Sequence, residues 1–270
     1  MMSAIQQYID LYEQQRGLIC SHSAPAMNRW RDEAVALLRK NGLPGKRSEE
    51  YKRTDLEAIY APDYGLNLGR IEIPANPYEV FRCDVPNLST SLYFLVNDNF
   101  YDREMPKAKL PDGVIAGSLR EAALSHPDLI ARYYGMAADM GRDGTVALNT
   151  ALAQDGFFLY IPDNTEVERP IQLVNILNGK VDWMANRRIL VVVGRNSRAK
   201  LLVCDHSDES ASKLLATQVA EIFVGEDSVF DYYDMEESSL NTSRVASTFV
   251  RQEAGSNVLV NGITLHNGVT

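Results

Sequence analysis

The chain holds 270 residues, with 27 Lys or Arg against 36 Asp or Glu, for a formal net charge of −9. Apolar residues make up 45% and charged residues 23%, the balance of a soluble protein able to bury a sizeable core. That charge repels phosphate backbones and excludes nucleic acid as the expected partner, and the longest purely aliphatic run, Ile189 to Val193, is far too short for a membrane helix of roughly 20 residues.

The chain opens on MMSAIQQ, which turns polar at once and is no secretory signal. Three cysteines, Cys20, Cys83 and Cys204, form an odd count without a C-x-x-C pair. Both features point to a reducing, cytoplasmic setting and against a disulfide framework.

In chain order, Ile5, Tyr8, Ile9 and Tyr12 fall at i, i+3, i+4 and i+7, the apolar stripe of a first helix. A second helix is expected with Ser23 as N-cap, Pro25 in the first turn, and Met27, Trp30, Ala34, Leu37 and Leu38 on its buried face. Gly42 would stop it in the left-handed conformation and Pro44 would block its resumption. A third helix is predicted over Asp55 to Tyr60, with Thr54 and Glu57 as a capping box. Four prolines between residues 61 and 90 indicate an extended connector, with a short strand over Arg70 to Ile73. Ser91 to Asp98 reads as a strand entering a hairpin, and Leu119 to Met140 as helix broken at His126-Pro127. From Val146 the period changes from 3.6 to 2. The expected division is a helical domain with its connector at 1–90, a mixed region at 91–145 and a strand-rich core at 146–270.

That core carries a repeat. VVVGRNSRAKLLVCD, IFVGEDSVFDYYDM and QEAGSNVLVNGITL align on Gly194, Gly225 and Gly255, at spacings of 31 and 30 residues, with Ser197 and Ser228 at a shared offset. A fixed period in this range, made of strands alone, favours a β-helix over a sandwich of evenly spaced hairpins. The fold class is therefore mainly β within α+β: an N-terminal helical domain followed by a right-handed parallel β-helix-like solenoid. A coil ending near Thr270 would leave its last rung bare, to be covered by another subunit or by a missing C-terminal part; the latter is the expectation.

Chemistry is sparse. No P-loop, G-x-S-x-G elbow, H-E-x-x-H or dinucleotide turn occurs. On a strand, Cys204 and His206 of Cys204-Asp205-His206 could face one point, but two ligands do not make a metal site, and a buried cysteine before a polar turn is the plainer reading. His266 beside Asn267-Gly268 reads as a turn residue, and His22 and His126 as residues at helix boundaries. Glu226, Asp227, Asp231, Asp234, Glu236 and Glu237 form an acidic stretch that reads as a two-faced strand with a solvated rim. Trp30, Tyr133 and Tyr134 read as core. Arg187-Arg188 and Arg195/Arg198 are scattered and make no basic face. No catalytic, cofactor-binding or metal residue is assigned.

Gly45 to Asp55 crowds four basic and three acidic side chains into eleven residues, ordinarily mere solvated surface. Here, though, NGLPGKRSEEYKRTDL (Asn41 to Leu56) resembles the SufD branch of the SufB/SufD family of the SUF iron–sulfur cluster assembly system. Its pattern is G-L-P, a short basic stretch, then E-x-[W/Y]-K-x-T-[D/N]-L, met by Gly42-Leu43-Pro44, Glu49, Tyr51, Lys52, Thr54, Asp55 and Leu56. Tyr51 stands where tryptophan is commoner and Arg53 where tyrosine is. A second stretch, Val146 to Ile176, resembles that family's entry into its β-helix through Asn149, Ala151, Asp155-Gly156, Pro162 and Pro170-Ile171.

The resemblance implies a non-catalytic scaffold that pairs with SufB through the β-helix and binds a SufC ATPase. It places the SufC-binding helices and the cysteine–histidine segment tied to cluster formation after residue 270. The chain is therefore expected to bind neither SufC nor an iron–sulfur cluster, which the full complex assembles. A reading from another class is a β-helix carbohydrate-active enzyme using Asp205 and Asp208 as acid and base. A third is a free-standing module that homodimerises through an open edge.

Overall fold

The computed structural model describes residues 3–71, 77, 90–103, 109–207, 212–266 and 268–269. The N-terminal stripe becomes the buried face of α1 (Gln6–Ser21), with Tyr8, Ile9, Tyr12 and Ile19 inside. The expected second helix is two: α2 (Pro25–Asn28) and α3 (Arg31–Asn41), parted at Trp30. Ser23 does not cap; its hydroxyl contacts Met27 and accepts a hydrogen bond from Arg31. Gly42 does end α3 at positive φ, but with ψ −168 it lies in the glycine-only region at positive φ rather than in the left-handed helical one. In α4 (Leu56–Tyr60) the N-cap is Asp55, which accepts from the Ala58 N–H, while Glu57 reaches back to Ser3 and Ala4 instead of closing a capping box. Arg70 has φ 52 and Ile71 is irregular, so neither is strand; the remainder of that expected strand, and Cys83, lie outside the described residues.

The expected hairpin is present as β1 (Ser91–Val96) and β2 (Asn99–Tyr101), paired antiparallel. After β3 (Ile115–Ser118) come α5 (Leu119–Ser125) and α6 (Pro127–Tyr133), parted at His126 as the proline demands. Residues 144–152 are helix, not strand: α7 (Gly144–Leu152) is capped by Asp143 and buried at every position, its polar Asn149 and Thr150 each accepting a hydrogen bond from Arg188. The period of two sets in only at β4 (Phe157–Ile161).

From there β5 (Ile171–Leu177), β6 (Trp183–Val193), β7 (Arg198–Ser207), β8 (Leu214–Val224), β9 (Val229–Glu237), β10 (Thr242–Gln252) and β11 (Asn257–His266) alternate between two walls. One wall is ordered β11-β9-β7-β5-β1-β2 and the other β10-β8-β6-β4-β3. Along β4 to β11, strands two apart in sequence pair in parallel, whereas hairpins would pair consecutive strands antiparallel. The architecture is thus a flattened parallel β-solenoid, and β1 already belongs to it through its parallel pairing with β5.

Register corrects the repeat. Val193 pairs with Val224 and Val224 with Gln252, steps of 31 and then 28 residues, so Gly255 does not stack on Gly225. Gly255 (φ 69) instead continues a column of left-handed corners made by Asn164, Asn196 and Asp227, with φ of 58, 51 and 56. Asn196 donates its amide to the Asn164 side chain, and Ser197 and Ser228 form a buried column one residue on, with the Ser228 hydroxyl accepting from the Ser197 N–H.

Inside the coil, Phe157, Leu159 and Ile161 face Ile171 and Leu173, and the pattern recurs in Ile189, Val191, Leu201, Val203, Ile222 and Phe230. Each such side chain contributes about 1.5–3 kcal/mol on burial. The outer face of the β4-β6-β8 wall is covered by helices: Phe158, Leu190 and Val192 meet Leu119, Ile130 and Tyr134, while Met184, Leu215 and Val219 meet α1, α3 and α7.

Candidate functional site: the charged end of the coil interior

Inward positions alternate along every strand, so Arg187, Asp205 and Asn175 point into the coil together with Ile189, Val203 and Leu173. In register, Asn175 stacks on Asp205 and Asp205 on Glu236 along one wall, with Arg187 beside Gln218 on the other. Arg187 contacts Asp205 directly and donates from Nε to the Asn97 carbonyl at 2.8 Å. Asn175 donates to Asp205 at 3.3 Å and to Gln218 at 3.2 Å. Arg244 donates from Nη2 to both carboxylate oxygens of Asp234, at 2.9 and 2.8 Å, and lies 3.3 Å from Asp205. One end of the lumen is therefore apolar and the other is a mesh of charges.

Burial sets the electrostatics. It lowers the Arg187 pKa against the pull of Asp205, and raises that of Asp234 against the pull of Arg244. For Arg244, burial is outweighed by Asp205 and Asp234, which hold its proton more firmly than usual. These carboxylates are engaged by guanidinium groups inside the rod, not offered to a ligand at its surface.

A second buried pair lies on the outer face of the same wall. Arg188 donates to Glu221 at 2.6 Å, to Thr150 at 3.1 Å and to Asn149 at 3.3 Å, and its guanidinium lies 4.7 Å from the Tyr134 ring centre. Arg31, fully buried, binds the carbonyls of Ala151 and Ala153 at 2.6 Å each and of Thr150 at 3.3 Å, closing the C-terminal end of α7. Sequence reasoning gave no role to Arg31 or Arg244 and read Arg187 and Arg188 only as scattered charges. The available signal was a charged pair set inside the apolar strand MANRRILVVV.

The candidates named from sequence do not converge. Cys204 is buried on the outer face, beside Phe94, Val174 and Ile176, and accepts a hydrogen bond from Gln172 at 3.5 Å. His206 shares that face, half-buried and 3.8 Å from Glu237, its pKa lowered by burial, while Asp205 points the opposite way. Among the described residues no group of three His, Cys, Asp or Glu side chains could hold a metal ion. His266 pairs through its backbone with Glu237; its side chain and Asp208 lie outside the described residues. His22 and His126 do occupy helix ends. Tyr134 is core, while Trp30 is half-buried and donates to the Tyr134 carbonyl at 3.0 Å. The acidic strand is not merely solvated: Asp234 and Glu236 are its inward half.

The signature segment is architectural. Tyr51 donates to Asp143 at 2.8 Å, the residue that caps α7, and Arg142 pairs with Glu50. Lys46 and Lys52 pair locally with Asp55 and Glu49. Tyr51 and Glu50 thus link the segment to the entry of the coil, while its lysines pair within it.

Two family models divide the chain between them: "SufBD protein N-terminal region" matches residues 2–173, and "SUF system FeS cluster assembly, SufBD core domain" matches residues 175–270. A protein of Synechocystis sp. named as an iron–sulfur cluster assembly SufBD family protein is 26% identical over 82% of this chain and 50% of its own length. Iron–sulfur cluster assembly protein SufD of Bacillus subtilis is 24% identical over 63% of this chain and 38% of its own. A chloroplastic SufBD family protein of Arabidopsis thaliana is 28% identical over 56% of this chain and 25% of its own. The chain spans half or less of the length of these relatives. No helix among the described residues is long and apolar enough to cross a membrane. A parallel coil wrapped by helices, matched end to end by both models, makes this chain a member of the SufBD family of iron–sulfur cluster assembly proteins.

Proposed function

We propose that this chain is the helical layer and early coil of a non-catalytic scaffold subunit, which pairs with a SufB-like subunit through the coil and carries a SufC-like ATPase. The observation that supports it is the closed interior: Arg187, Asp205, Arg244 and Asp234 neutralise one another within the rod. Charges so engaged stiffen a support, and Asp205 and Asp234, each held by a guanidinium, are not free for acid–base work. The glycosidase reading loses Asp205 on this ground. The iron–sulfur cluster is the cargo of the complex, and no residue of this chain is assigned as its ligand. A cytoplasmic site of action accords with the free thiols of Cys20 and Cys204.

The test is co-expression of the gene product carrying this chain with the SufB-like and SufC-like proteins of its own organism, followed by size-exclusion chromatography with light scattering. One complex containing all three is the expected result. Elution of the gene product apart from both others would overturn the reading.

A further inference from the structure

We propose that a groove beside the end of α6 docks a short acidic, aromatic-bearing segment of a partner protein. Its floor is one row across the outer face of the helix-covered wall. Tyr160 on β4 pairs with Val192 on β6, Val192 with Phe223 on β8, and Phe223 with Arg251 on β10. Three strand spacings make this row about 14 Å long. The Tyr133 ring flanks it, 4.9 Å from that of Phe223. At the corner, Gly194 and Gly225 let successive turns stack closely along the groove's edge; a Cβ on Gly194 would lie 2.5 Å from the Asp163 nitrogen. The groove encloses about 850 Å³, the volume of a few side chains.

Its polar equipment is mostly donors. Arg132 and Arg251 are exposed and make no ion pair among the described residues, and the Tyr133 and Tyr160 hydroxyls have no hydrogen-bond partner among them. Asp163 is occupied by Arg195, which donates to it from the backbone at 2.8 Å and from the guanidinium at 3.0 and 2.9 Å. Glu253 is the other carboxylate on the lining. An aromatic floor between unpaired guanidinium groups suits a Phe or Leu set among carboxylates: the ring packs on Phe223 and Tyr133, and the carboxylates meet the arginine forks. A net charge of −9 on the whole chain disfavours a long polyanion in the same place. This inference goes beyond the scaffold reading and does not depend on it.

The experiment is fluorescence anisotropy on the gene product carrying this chain. The probe is a fluorescein-labelled octapeptide with Phe and Leu among Glu and Asp residues. A matched peptide with Lys in place of each carboxylate and a single-stranded DNA octamer are the comparisons. We expect saturable binding of the acidic peptide alone, weakened by salt, and weakened at least about tenfold in the doubly reversed variant Arg132→Glu/Arg251→Glu at unchanged melting temperature. Phe223→Ala weakens it independently of charge. Unchanged affinity in the reversed variant, equal binding of the lysine peptide or the oligonucleotide, or no saturation by about 1 mM acidic peptide overturns the proposal. Complex formation with SufB-like and SufC-like proteins is a separate readout, so either reading can fail alone.

Discussion

Glu221 on β8 receives Arg188 of the neighbouring strand at 2.6 Å and, with the same carboxylate, the N–H groups of Gly135 at 2.9 Å and Ala137 at 2.8 Å. One buried group thus ties two strands of the coil to the loop that follows α6. Removing its charge leaves Arg188 buried without a counter-ion. Glu221→Gln is expected to lower unfolding free energy by roughly 3–5 kcal/mol in urea denaturation, and Arg188→Met/Glu221→Leu by less than Glu221→Gln. Additive losses in the pair would refute the coupling.

The same group sets a pH dependence. Burial alone would push the Glu221 carboxyl up, but the Arg188 charge and the loop N–H groups outweigh it and hold it below the ordinary range. A depressed folded-state pKa adds stability that is present above the unfolded-state value and lost as pH falls through the folded one. The gap between the parent and Glu221→Gln is therefore widest near neutrality and narrows below about pH 4. Asp234, raised chiefly by burial, runs the other way. Its contribution is fully present below the unfolded-state pKa and fades as pH rises through the folded one, so the parent gains stability relative to Asp234→Asn as pH falls. Denaturation series at several pH values read both trends, and parallel trends in the two variants would contradict them.

Arg31 joins the helical layer to the coil through the last carbonyls of α7 and also donates to Ser23 at 2.9 Å and Asn28 at 2.8 Å. Its truncation orphans several buried acceptors, each costing about 1–3 kcal/mol. Arg31→Met should lose at least about 3 kcal/mol, and Arg31→Lys should recover little, because a single ammonium cannot reproduce the planar fork. Hydrogen exchange should localise the loss to the end of α7; an even loss across the coil would count against this role.

The corner column gives two contrasting predictions at a single position. Asn196 stands at φ 51, where glycine is at ease and a β-branched residue is strained. Asn196→Gly should fall within about 0.5 kcal/mol of the parent, whereas Asn196→Val should lose about 1–2 kcal/mol. Thermal melts suffice to rank them, and equal losses would remove backbone conformation as the reason for the asparagine.

Features carried by neighbours in sequence were legible. The stripe of Tyr8, Ile9 and Tyr12, the break before Pro127, the β1–β2 hairpin and the strand–corner–strand repeat all follow from side-chain period and turn chemistry acting over a few residues. The same local view misjudged Val146, because the run from Val146 to Leu152 is mostly apolar, with Asn149 and Thr150 as its polar members, and is too short for its period to tell a strand from a buried helix. It also aligned Gly255 by identity with Gly225, when the corner tolerates Asn, Asp or Gly alike at its left-handed position.

What the strand and turn pattern settled was a coil; which charges meet inside it was decided by stacking. Arg187 and Asp205 stand 18 residues apart, and Arg188 and Glu221 stand 33 apart. One residue of slip in register would turn each of those side chains to the opposite face. Adjacent arginines with one sequence context therefore end in separate environments, Arg187 in the lumen and Arg188 beneath the helices, because alternation sends neighbours to opposite sides and only tertiary packing supplies the carboxylate waiting on each.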